Sequence, residues 1–184
     1  MSQMSLSVLN AFSGWYQQVT GRAGRVHVED NRASFFEGRE FRTFQEFTIP
    51  SASTTVIRAT LTKNIILYQS GIVISSGDVT MRLYAAGTTG GVWTPMPVIR
   101  KSTMTVTPVV ATGTTMEHGG TYTPGILIDL IRVVSTGTDN KGSSVGSQPA
   151  DERGVGPGVY HYVLTNSSNQ DAHVLFRGFW EEYF

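Results

Sequence analysis

The 184-residue chain contains no cysteine, few charged residues and no long apolar segment. The lack of cysteine excludes disulfide bonds, thiolate catalysis and zinc sites with cysteine ligands. Charged residues make up 15% of the chain, against roughly 25% in a typical soluble protein, and the formal net charge is zero. A chain with so little charge is poorly protected against association, which a subunit of a larger assembly tolerates more easily than a free enzyme does.

Basic residues are too dispersed to indicate nucleic acid as a partner. Phosphate binding requires clustered Lys and Arg, whereas the arginines between Arg22 and Arg42 alternate with Glu29, Asp30, Glu37 and Glu40. No apolar run approaches the ~20 residues of a membrane helix, and no signal-peptide pattern precedes the first strand. We therefore expect no nucleic acid and no membrane among the partners, and synthesis in the cytosol.

The N-terminal region has a different pattern from the rest of the chain. Leu6, Leu9, Phe12, Trp15 or Tyr16, and Val19 recur at spacings of three or four, although Gly14 interrupts them. This spacing predicts a short amphipathic helix or, alternatively, an apolar arm. We interpret residues 1–43 as an arm and connector, with one short strand at residues 25–28, and residues 44–184 as a β domain.

From Phe44 onward the sequence predicts strands and turns. Residues 78–84 alternate with period two, which places Val79, Met81 and Leu83 on one buried face. Residues 157–165 and 172–180 are predicted to form two strands joined by a hairpin turn at Asn166-Ser-Ser-Asn169. Further strands are expected at residues 54–61, 65–75 with a bend at Gly71, 92–99, 103–110 and 126–135, with loops at 87–91 and 139–156.

About eight short strands separated by Gly, Ser, Asn and Pro turns indicate an all-β fold. The predicted architecture is a β-sandwich or jelly roll of about eight antiparallel strands, with the N-terminal arm or short helix added to it. The last strand is expected to place Val174, Phe176 and Trp180 on one face, and the C-terminal FWEEYF segment is expected to contribute core aromatics.

Candidate metal ligands are few. His161 and His173 could approach each other across the predicted hairpin, with Asp171 as a third ligand. Because no HxH or HExxH spacing is present, two histidines on a half-exposed sheet face are the preferred interpretation. We expect no metal and no cofactor.

Carboxylates offer a second, weaker indication of chemistry. A glycosidase needs two of them, and the candidates are Glu117, Asp129, Asp139, Asp151, Glu152, Glu181 and Glu182. Asp129 lies in an otherwise apolar strand, where Arg132 or Arg177 would serve as a structural partner. No nucleophile elbow or phosphate loop accompanies these acids, so we expect that the chain is not an enzyme.

Aromatic and apolar side chains indicate binding instead. The arm is predicted to contact a partner protein, since its apolar residues would otherwise face water; these are Leu6, Val8, Leu9, Phe12, Trp15 and Tyr16. Five other aromatic residues could stack on a glycan and favour a carbohydrate-binding module as an alternative: Tyr84, Trp93, Tyr122, Tyr160 and Tyr162.

Three stretches resemble, in pattern and order, small bacteriophage virion proteins, jelly-roll decoration or cement proteins among them. They are FEGREFRTFQEFTIP, DVTMRLYAAGTTGGVWTPMPVIRKSTMTVTP and the final segment from GTDNKGSSVGSQPADERGVGPGVYHYVLTNSSNQDAHVLFRGFWEEYF. The resemblance covers residues 36–184 and rests on strand and turn order. It implies a structural role on a capsid or tail, with self-association around a symmetry axis.

The sequence thus leads to one expectation and two alternatives. We expect a capsid decoration or cement protein that binds and stabilises the assembled shell, is located in the virion and forms a homo-oligomer. Its partners would be the major capsid protein or other virion subunits. The alternatives are a tail, collar or fibre-attachment component and a carbohydrate-binding receptor module.

Overall fold

The structure is a computed structural model that describes residues 7–9, 16–18, 37–102, 112–135, 143–146 and 153–183. For residues 7–9, 16–18 and 143–146 it describes the backbone alone. The chain divides into two compact units, Met1–Ala33 and Ser34–Phe184.

In the first unit, β1 (Ser7–Leu9) pairs antiparallel with β2 (Tyr16–Gln18). The helical alternative for this region is therefore wrong at these residues. Spacings of three or four in a short apolar segment do not separate a helix from strands, and pairing with a second strand decides the outcome. Of the predicted arm contacts, Leu6, Phe12 and Trp15 lie outside the described residues, as do the side chains of Val8, Leu9 and Tyr16 and the strand expected at 25–28.

The described part of the second unit contains ten strands, and all of their pairings are antiparallel. They are β3 (Glu40–Ile49), β4 (Thr54–Leu61), β5 (Ile65–Ile74), β6 (Asp78–Pro95), β7 (Ile99–Arg100), β8 (Thr114–Val134), β9 (Ser143–Gly146), β10 (Arg153–Val155), β11 (Gly158–Asn166) and β12 (Ala172–Glu182). The all-β prediction is confirmed. The strand expected at 103–110 lies outside the described residues.

These strands form two sheets. The first has the order β10-β5-β12-β3-β7, and β9 also pairs with β5. The second consists of β11, β4, β8 and β6 and closes on itself. Closure is possible because β6 and β8 form a long ribbon: β8 pairs with β6 over most of its length and with β4 at its start. The two packed sheets make the predicted β-sandwich.

The core lies between the sheets and follows the predicted alternation. Val79, Met81 and Leu83 are buried, as are Phe176 and Trp180 on the facing strand β12. Period two places every second side chain on one face, so these residues meet in a single apolar layer.

The predicted hairpin at residues 166–169 is wrong. Strand β11 belongs to the closed sheet and β12 to the other, so the segment crosses between the layers. The reason lies in Asn166, which is fully buried and whose side-chain amide donates to the carbonyls of Ile49, Pro50 and Gln170. Its side-chain oxygen accepts bonds from Ser168. These bonds hold the crossing segment to the end of β3 rather than closing a two-stranded turn.

Two predicted loops also contain strands. Residues 87–91 continue β6 and pair with β8, with register shifts nearby. Glycine is required at Gly87, whose φ is 106° and where a Cβ would collide with the Thr123 carbonyl. Within 139–156, the described strands β9 and β10 both pair with β5. Strand β5 itself runs through Gly71 with no interruption.

Candidate functional site

The most distinctive surface is one edge of the closed sheet, at residues 126–134 of β8. Strand β6 pairs with this segment on one side. In the described part of the chain, no strand pairs with its other side, because β4 reaches only residues 114–118. A strand edge of this length presents backbone N–H and C=O groups that can pair with another chain.

This open edge is also apolar on both faces. Ile126 lies beside Ala85 on the face toward the other sheet, whereas Leu127 lies beside Tyr84 on the opposite face. The exposed side chains are Ile126 (73%), Leu127 (49%), Ile128 (44%), Leu130 (51%) and Val134 (43%). Single exposed aliphatic residues are common, but a contiguous group of this kind marks an interaction site. We call residues 126–134 the open edge.

One ion pair crosses from the open edge to the other sheet. Asp129 lies 3.1 Å from the guanidinium of Arg153 on β10, and it also accepts a hydrogen bond from the Leu130 backbone N–H. The expectation that Arg132 or Arg177 would neutralise Asp129 is wrong, since Arg132 pairs with Asp78 instead. The side chain of Asp129 points toward the facing sheet, where β10 supplies the nearest cation.

A second cluster lies inside the closed sheet. His161 is fully buried there, with the rings of Tyr122 and Trp93 at 5.8 and 6.4 Å between centroids. Arg58 stacks on Trp93 at 4.4 Å and forms an ion pair with Glu117. Burial lowers the pKa of His161, Arg58 acts in the same direction, and the backbone of Ala86 opposes them. His161 is therefore a neutral packing residue at neutral pH.

The proposed approach of two histidines does not occur, because β11 and β12 lie in different sheets. His173 is exposed and its ring contacts the Thr48 hydroxyl at 3.2 Å, while His118 packs edge-on against Phe47. His27 lies outside the described residues. Across the residues that are described, no group of three or more His, Asp or Glu side chains could hold a metal ion.

The acidic candidates do not form a catalytic pair in the described ranges. Glu117 forms an ion pair with Arg58, and Asp129 forms one with Arg153 on a different face of the sheet. Asp139, Asp151 and Glu152 lie outside the described ranges. Glu181 is buried and accepts bonds from Arg39 at 2.5 Å and from the Tyr68 hydroxyl at 2.5 Å. Glu182 is also buried and fixes the start of β8. Both glutamates end β12 as structural anchors, a role that the sequence did not indicate.

The five candidate glycan-stacking residues do not share one exposed face. Tyr162 is buried in the core, Tyr160 packs against that core, and Trp93 and Tyr122 contact His161 from inside the closed sheet. The predicted core role of the C-terminal FWEEYF segment is confirmed for Trp180 but is wrong for Tyr183, which is 40% exposed. Phe184 lies outside the described residues.

The open edge was not identified from the sequence. Its residues, ILIDLIRVV, form an almost continuous apolar run, which is typical of a strand buried on both faces. The structure shows the same run at a sheet margin. The available signal was the absence of alternation in a fold whose other strands alternate.

No protein-family model, no curated protein and no solved structure matches the chain. Among the residues described, there is also no helix long and apolar enough to cross a membrane.

Proposed function

We propose that this chain is a structural subunit of a bacteriophage particle, a decoration or cement protein that binds the assembled shell through protein–protein contacts. The observation that carries the assembly role is the open edge of β8. The resemblance in strand and turn order supplies the phage context. The low content of charged residues is compatible with a subunit that is held in a larger assembly.

The open edge can provide both affinity and register. A partner strand added to residues 126–134 satisfies the backbone groups along the free side of β8. It also covers the exposed aliphatic side chains on both faces. Full burial of one such side chain contributes roughly 1.5–3 kcal/mol, so half-exposed side chains at five positions contribute on the order of 5 kcal/mol before the costs of association.

Stabilisation of the shell then follows from mass action. A ligand that binds only the assembled state lowers the free energy of that state and leaves the dissociated subunits unchanged. The occupant of the open edge in this proposal is another protein subunit of the particle. The arm residues Leu6, Val8, Leu9, Phe12, Trp15 and Tyr16 are the second contact that we propose.

The test of the edge is binding of the purified chain to particles assembled without it, measured by co-sedimentation. We expect the double variant Leu127→Lys/Leu130→Lys to lose binding, because two charges would be buried in the contact. The control is Val92→Lys, which places one lysine at an 87% exposed valine away from the open edge. Equal binding by the double variant and the control would refute the edge contact.

The arm is tested separately in the same assay. We expect a chain that lacks residues 1–20 to bind the particles at least about tenfold more weakly, while its circular dichroism retains the β signal of the Ser34–Phe184 unit. Unchanged binding of the truncated chain would remove the arm from the proposal and leave the open edge as the contact.

A further inference from the structure

An apolar cavity lies between the two sheets, beside the open edge. Its volume is about 310 Å³, roughly twice that of a 150 Å³ cavity that holds benzene. Both sheets contribute to its walls, and the principal side chains are Leu61, Leu67, Leu83, Tyr162, Phe176 and Trp180. Ordinary cores are close-packed and contain few voids larger than one water molecule, so a cavity of this size is unusual.

The polar groups on the walls are already hydrogen-bonded within the protein. Thr43 donates to the Pro97 carbonyl at 2.7 Å, Thr114 to the Glu182 carboxylate at 2.8 Å, and Tyr160 to the Gly156 carbonyl at 2.9 Å. Burial raises the pKa of Tyr162 to about 12, which keeps its hydroxyl neutral. A water molecule needs two to four polar partners to occupy a buried site. Because these polar wall groups are already hydrogen-bonded, the cavity is poorly suited to a water molecule or to a charged ligand.

The charged side chains beside the cavity form an ion pair. Ile126 and Ile128 of the open edge line the cavity in one sheet, and Arg153, Gly154 and Val155 of β10 line it in the other. The Arg153–Asp129 ion pair joins the two sheets, so the guanidinium of Arg153 at the cavity wall already has its anion. A ligand with its own carboxylate or phosphate would have to displace Asp129.

We propose that this cavity binds a small, uncharged, apolar molecule of about the size of two fused aromatic rings or a short hydrocarbon chain. Binding of this molecule does not depend on the assembly role, because all of the described wall residues belong to one chain. The ligand would enter between β8 and β10 and lie against Trp180, with its surface covered by both sheets.

The test uses the full chain and N-phenyl-1-naphthylamine, an uncharged probe whose fluorescence increases in apolar surroundings. We expect saturable binding of one molecule per chain, with energy transfer from Trp180 to the probe. Ala85→Leu adds three carbon atoms at the cavity wall and should weaken binding by roughly tenfold or more. If Ala85→Leu does not fold, as judged by circular dichroism, Ala59→Val fills the same cavity with a smaller change.

Two controls separate the cavity from the surface. Thr115→Leu adds the same side chain at an exposed position of β8, between two wall residues, and should leave binding unchanged. Leu127→Lys/Leu130→Lys removes apolar side chains from the open edge without changing a wall residue, and should also leave binding unchanged. Loss of probe binding in this double variant would mean that the probe binds the edge, and would overturn the proposal.

Absence of saturable binding, or full binding by the cavity-filling variant, would also overturn it. None of these outcomes bears on the assembly role, which is measured by binding of the chain to particles and not by binding of the probe.

Discussion

Replacement of Glu182, at the end of β12, by alanine should strongly destabilise the fold. The buried carboxylate accepts hydrogen bonds from the Thr112 and Thr114 hydroxyls, both at 2.8 Å, and from the Gly113 backbone N–H at 2.7 Å. The indole N–H of Trp180 lies 3.4 Å away. This single side chain thus holds the end of β12 in one sheet against the start of β8 in the other.

The magnitude follows from these contacts. A hydrogen bond to a charged acceptor contributes roughly 1.5–3 kcal/mol, and a buried donor left unsatisfied costs about 1–3 kcal/mol. Thr112 is exposed and can bond to water after the change, whereas Thr114 is buried. We therefore expect Glu182→Ala to lower the free energy of unfolding by about 3–5 kcal/mol, a large part of the 5–15 kcal/mol typical of a domain. Glu182→Gln should cost less, since it keeps one acceptor oxygen.

The assay is urea unfolding of each purified variant, followed by tryptophan fluorescence. The matched control is Glu46→Ala, which removes an exposed glutamate from β3 and should change the free energy of unfolding by less than about 0.5 kcal/mol. If Glu182→Ala and Glu46→Ala had equal effects, the argument that the buried carboxylate joins the two sheets would be refuted.

Two further predictions concern buried polar residues. Burial lowers the pKa of His161, so as the pH falls the imidazole is protonated in the unfolded chain before it is protonated in the folded chain. The contribution of neutral His161 to the free energy of unfolding is therefore complete above about pH 6.5 and is lost as the pH falls through the folded pKa. The loss of unfolding free energy between pH 7.5 and pH 5 should be smaller in His161→Phe than in the parent chain, and equal losses in the two would contradict this. Asn166→Ala should lower the unfolding free energy by about 3 kcal/mol, since three backbone carbonyls lose their donor. Its control, the exposed Asn169→Ala, should change that free energy by less than about 0.5 kcal/mol, and a similar effect from both changes would speak against the crossing role of Asn166.

The fold class could be predicted because period-two alternation is a local signal. Val79, Met81 and Leu83 are buried where the sequence placed them, and so are Phe176 and Trp180. Alternation states which face is apolar, but it does not state which strands pair. That choice depends on contacts far apart in the sequence.

The hairpin predicted at residues 166–169 and the loop predicted at residues 87–91 were wrong because the local pattern does not determine which strands pair. An Asn-Ser-Ser-Asn segment favours a tight turn, whereas the buried bonds of Asn166 to Ile49 at the end of β3 and to Pro50 direct the chain across the sandwich. The Gly-Thr segment resembles a loop because glycine is common in turns, yet its glycines allow close approach of β8 within a continuous strand.

The candidate site was harder to predict than the fold. Exposure of residues 126–134 depends on which elements cover them, and an apolar run alone indicates a buried strand. The roles of Glu181 and Glu182 depend on donors more than 60 residues away in sequence, such as Thr114. The cavity depends on the spacing of two sheets, which no local pattern contains.

We propose that the chain is a structural subunit distributed over a phage shell. The most direct test is the copy number of this protein in purified particles, measured by quantitative mass spectrometry against the major shell protein. We expect on the order of hundreds of copies, comparable to the shell subunit and set by icosahedral symmetry. About a dozen copies or fewer would indicate a tail, collar or vertex component instead, and absence from the particles would contradict the virion role.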